Sequence, residues 1–167
     1  MKPAELIELL RECYRDKSAL KARHIAAARL VGDYDFNNTY QYVINREETQ
    51  LRWLQDALGE FGVGLPQPST TYPVPEVGKS KKAEPSIFRG VLEDDARTLR
   101  AFVEKWRPRI EKVTHARHRT MLGVMMGEGL EHARMFEQAA GGFEDVLGKR
   151  TSLAARVGAV LPTRWLE

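Results

Sequence analysis

Apolar residues return every three or four positions along four long stretches, the spacing that keeps them on one face of an α-helix. In the first, about 3–32, the face runs Leu6, Leu10, Cys13, Lys17, Leu20, His24, Ala27 and Val31. The second, about 36–61, repeats the rhythm as Phe36, Tyr40, Val43, Glu47, Gln50, Leu54, Ala57 and Phe61. The third is predicted to open near Glu93–Asp95, because acidic residues suit the partly positive helix N-terminus. It continues through Leu99, Val103, Trp106, Ile110 and Val113, and Pro108 should kink or break it. The fourth, about 119–140, follows Met121, Val124, Glu128, Glu131, Met135 and Gln138 and stops at Gly141–Gly142.

The joins between these stretches differ in kind. The turn GDYDFNN between the first two is short and rich in residues that leave helices. Residues 62–90 hold five prolines and no helical period, so they read as a long crossover connection. Their basic piece, Lys79, Lys81 and Lys82, reads as solvated linker, with an acidic partner as the alternative. Steps of four and three average about 3.5 residues, the period of left-handed, near-antiparallel packing in four-helix bundles. The predicted fold is all-α: an antiparallel four-helix bundle over 1–142 with one long crossover at 62–90. The remaining segment, 143–167, is apolar enough to dock on the bundle, with a short helix at 143–157 and an anchor at Trp165 and Leu166.

Composition narrows the classes. At 167 residues, 43% hydrophobic and 29% charged, the chain reads as one globular domain. A net charge of +3 is too mild, and too evenly interleaved with acids, to indicate nucleic acid. No stretch approaches the roughly 20 apolar residues of a membrane span, and the start lacks a secretory signal pattern. A cytoplasmic location is the expectation. The single cysteine, Cys13, excludes an intrachain disulfide and a cysteine-based zinc cage; its place on an apolar face marks it as a small buried hydrophobe.

The inward faces are not wholly apolar. Lys17 and His24, Glu47 and Gln50, and Glu128 and Glu131 interrupt three of them at comparable heights. A buried carboxylate without a partner costs several kcal/mol, so these groups must be paired, metal-bound or reached by water. Two segments resemble the second and fourth helices of ferritin-like di-iron carboxylate proteins: REETQLRWLQDALGEFG, with Glu47 at the motif glutamate, and MMGEGLEHARMFEQA, with Glu128 there. The resemblance spans roughly residues 3–140 and implies a crossover bundle whose Glu-x-x-His helices hold two metals. This chain departs from that pattern. Gln50 and Glu131 stand at the two histidine positions, and His132 falls one place late, about 100° around the helix. Lys17 stands where the first helix would offer glutamate. The third helix has no clear inward acid, Glu104 and Asp95 being the nearest.

From this follow the functional expectations. The favoured reading is a ferritin-like module that has lost the di-iron centre and serves a structural or interaction role, self-associating or bound to a protein partner. Lys17 would then neutralise Glu47 and Glu128, with His24 and Gln50 completing the hydrogen bonds, and no cofactor is expected. The alternative is an iron- or manganese-dependent oxidoreductase or iron-handling protein with an atypical site of Glu47, Glu128, Glu131 and His24. A separate trio, Glu111, His115 and His118, has zinc-ligand spacing, but Lys112, Arg117 and Arg119 surround it with positive charge. No phosphate loop follows a strand, and Ser18 and Ser152 lack triad partners.

Overall fold

In the computed structural model, residues 1–31, 33–67, 72–73, 85–143 and 146–147 are described. Four helices occupy them: α1 (Pro3–Leu30), α2 (Tyr34–Gly59), α3 (Pro85–Ile110) and α4 (Ala116–Ala140). None of these helices is long and apolar enough to cross a membrane. The basic piece at 79–82 and the predicted anchor at Trp165 and Leu166 lie outside the described residues, as does most of the predicted helix at 143–157.

The predicted faces of α1, α2 and α3 are buried, save Phe36 and Phe61 at the two ends of the second face, which are half-buried. Leu6, Leu10, Cys13, Lys17, Leu20, His24, Ala27 and Val31 all point into the core, as do Tyr40, Val43, Glu47, Gln50, Leu54 and Ala57. On α3 the same holds for Leu99, Val103, Trp106 and Ile110, with Val113 just beyond it. Two local expectations need correction. Helix α3 begins at Pro85, about two turns before Glu93; proline suits a first helical position because its missing N–H has no partner there. Pro108 does not break α3 mid-course, since the helix ends two residues later at Ile110.

Helix α4 corrects a third. Its buried positions are His118, Leu122, Met125, Met126, Gly129, His132, Ala133, Phe136, Ala139 and Ala140. The predicted face lies one residue earlier: Val124 is 46% exposed and Gln138 is exposed. One residue is a rotation of about 100°. The phase is set by contact with α3. A Cβ on Gly129 would stand 3.1 Å from Val103 Cγ2, so the bare glycine lets the two helices approach closely.

Helix α1 packs chiefly on α2 and α3 on α4; lesser α2–α4 and α1–α3 contacts complete the set. Ion pairs give the register. Between α1 and α3, Glu12 meets Arg109, Asp16 meets Lys105, and Arg23 meets Asp94 and Asp95. Arg46 of α2 meets Glu128 of α4, and Glu60, just past the end of α2, meets Arg117 of α4. Arg100 of α3 reaches Glu137 of α4.

Candidate functional site

Halfway along the helices the core turns polar. Lys17 Nζ donates to Glu47 Oε1 at 3.0 Å, and the two side chains are 1% and 0% exposed. The other carboxylate oxygen of Glu47 lies 2.9 Å from His24 Nδ1. Burial alone would push the Glu47 carboxyl up; the adjacent His24 and Lys17 overcome that and hold it down at about 2. Lys17 also lies 5.4 Å from the Phe102 ring centroid, a cation–π contact that further stabilises the ammonium.

Nearly two turns further along α1, Arg23 forms a second buried pair. Its Nε donates to Asp95 Oδ1 at 2.6 Å, and the rest of the guanidinium bonds Asp94 and the Pro73 carbonyl. Tyr40 donates its hydroxyl to Asp95 Oδ2 at 2.5 Å. Burial and the Asp95 charge push the Tyr40 phenol far up. The His24 ring stands between the two carboxylates, its Nε2 4.0 Å from Asp95 Oδ1. Phe136 of α4 packs on His24 and on Tyr40, with ring centroids 5.4 and 4.7 Å away.

Glu128 sits at the margin, a quarter exposed. It does not pair with Lys17, as the sequence suggested; Arg46 takes one oxygen and Gln50 Nε2 donates to the other at 2.5 Å. Those bonds hold the Glu128 carboxyl below its ordinary range against the opposing effect of burial. Glu131 lies outside the cluster: its side chain is 57% exposed and pairs with Arg134 one turn on. His132, read from the sequence as turned away, points inward instead. Burial, then the Lys17 charge, pull its pKa down to about 4 although Glu47 and Glu128 oppose. Tyr42 covers it edge-on at 6.0 Å.

Asp95 was within reach of the sequence. It precedes Leu99 by one turn on the α3 face, so extending that face backwards reaches it. Arg23 and Arg46 gave no such signal, because each adjoins a face position rather than occupying one. Among the described residues, no group of three or more His, Cys, Asp or Glu is placed to hold a metal. The zinc trio does not assemble either, although the His115 and His118 rings lie 4.3 Å apart. Glu111 is exposed, His115 caps α4 by accepting from the His118 N–H, and the His118 ring is buried near Glu60.

A helical bundle, all-α over the described residues, with a charge network across its core is the class these observations define. No family model matches the chain, and no solved structure matches it. A stretch of 65 residues is 37% identical to Polycomb group RING finger protein 6 of Rattus norvegicus and 38% identical to that of Mus musculus. It covers 38% of this chain and 18% of each relative, so it assigns no family. With one cysteine, this chain cannot build a cysteine-based zinc cage of the RING kind.

Proposed function

We propose that this chain is a ferritin-like, antiparallel four-helix bundle in which a salt-bridge network stands where relatives hold two metals, and that it serves as a structural or interaction module. The arrangement is supported by the order of contacts. An early residue of α1 meets a late one of α3 (12 with 109), a late residue of α1 meets an early one of α3 (23 with 95), and the residue just past α2 meets an early residue of α4 (60 with 117). Together with the short α1–α2 turn, this order fits an up-down-down-up path with one crossover between α2 and α3.

The single observation that carries the functional reading is the Lys17–Glu47 bond. A di-iron carboxylate centre needs free glutamate oxygens converging on two cations. Here both oxygens of Glu47 and both of Glu128 are taken by side-chain donors, and an ammonium supplies the positive charge. The donor set does not fit two metals. On this reading the bundle serves as a self-associating or partner-bound module.

One observation favours a second reading, an atypical iron or manganese site. His24 Nε2, Gln50 Oε1 and His132 Nδ1 are buried without a hydrogen-bond partner, and buried polar atoms ordinarily have one. Elemental analysis of protein purified from iron- and manganese-supplemented medium separates the two. The proposal expects metal far below one ion per chain, unchanged by Glu47→Ala with Glu128→Ala. Near-stoichiometric metal that disappears in this double variant selects the second reading.

A further inference from the structure

Where α2 ends and α4 begins, a cavity of about 520 Å³ opens between them, within the roughly 300–1,000 Å³ of small-molecule sites. Its apolar wall is Trp53, Ala57, Met121 and Val124. Val124, the residue that the helical period had placed in the core, is left largely open here.

The polar wall has an unbalanced charge. Glu60 is paired with Arg117 at 2.8 Å. Asp56 lines the same cavity, is exposed, and its carboxylate has no hydrogen bond or ion pair among the described residues. His118 is 2% exposed, and neither ring nitrogen has a hydrogen-bond partner; its Nε2 is 3.5 Å from Glu60 Oε2. Burial and the neighbouring His115 pull the His118 pKa down, although Glu60 opposes them. Two carboxylates therefore face one guanidinium, next to an indole. That indole already attracts a cation, the Arg46 guanidinium, 5.8 Å from its centroid.

We propose that this cavity binds a small organic cation: an ammonium carried on an aromatic or aliphatic body. The body fills the space between Trp53, Met121 and Val124. The ammonium pairs with Asp56, the carboxylate left without a partner, while the indole adds cation–π attraction. An anion of the same shape meets Asp56 and Glu60 and is repelled. The site shares no side chain with the central charge network, so its test is independent of the metal analysis.

The test is a titration of the full chain with phenethylamine, phenethyl alcohol and 3-phenylpropionate, which share a body and differ in charge. Amide and indole NMR shifts locate the site, and calorimetry gives affinities. The expected result is saturable shifts at Trp53, Met121 and Val124, with the amine about tenfold tighter than the alcohol and the acid silent. Asp56→Asn weakens the amine about three- to fivefold without changing the alcohol. Val124→Arg abolishes binding of both. Since Asp56 and Val124 are exposed, neither change threatens the fold. Equal binding of amine and alcohol, tighter binding of the acid, shifts at α1 or α3 instead, or no saturable response would each overturn the proposal.

Discussion

Lys17 and Glu47 face each other across the α1–α2 interface at 3.0 Å, almost wholly out of water. Neither charge would be tolerated there alone. An unpaired ion in such a place carries a desolvation penalty of several kcal/mol, which the partner's charge and hydrogen bond offset.

Lys17→Met leaves the Glu47 carboxylate with His24 as its remaining hydrogen-bond partner, and should destabilise the fold by about 3–5 kcal/mol in urea unfolding. Adding Glu47→Met removes the orphaned charge, so the double variant should be more stable than Lys17→Met alone. Additive losses in this cycle would show that the pair is not coupled.

The Asp95 hub should rank its partners. Asp95→Asn weakens the anchor of Arg23 and the acceptor for Tyr40 together, a loss of about 2–4 kcal/mol. Tyr40→Phe removes one neutral donor to a charged acceptor, about 1.5–3 kcal/mol at most. Thermal or urea melts giving the reverse order would place the critical bond elsewhere.

Acid should act through His132 before it acts through Glu47. The folded-state pKa of His132 is depressed to about 4 from 6.5, so the unfolded chain binds the extra proton first. Its contribution to stability is intact above pH 6.5 and is lost as pH falls to about 4, on the order of 3 kcal/mol. Glu47, also depressed, loses its contribution lower, from about 4.5 down to about 2. His132→Phe should reduce the slope of the stability profile between pH 6.5 and 4, leaving the share of His118, which is also depressed, and the limb below it. An unchanged slope in that window would sink the assignment.

Two glycines of α4 should respond oppositely. Gly127 has open space where a Cβ would go, so Gly127→Ala should stabilise by roughly 0.5–1 kcal/mol through helix propensity. Gly129 already approaches Val103, and Gly129→Leu should destabilise by about 1–3 kcal/mol by forcing α3 and α4 apart. Differential scanning calorimetry would show the two midpoints moving in opposite directions.

How much of this was legible depends on the helix. Along α1 and α2 the face read from the spacing lies at the centre of a wider buried stripe that also takes in Leu9, Ala19, Ala28 and Leu58, and the polar interruptions at 17, 24, 47 and 50 fall where the structure has them. Along α4, Met121 adjoins Leu122 and Val124 adjoins Met125. Two stripes one residue apart are then almost equally apolar, and Glu131 and His132 exchange roles according to which is chosen.

The sequence by itself determined four helices, the buried faces of three of them, and that charged groups lie inside. Each of those follows from local spacing along one chain. Only the tertiary structure decided which charge neutralises which: Lys17 takes Glu47, Arg46 and Gln50 take Glu128, and Arg23 takes Asp95. It also decided that His132 rather than Glu131 turns inward. The reason is physical. Pairing energies depend on distances between helices, and the rotation of α4 is fixed by the close approach of Gly129 to Val103, a contact that no periodicity within α4 encodes.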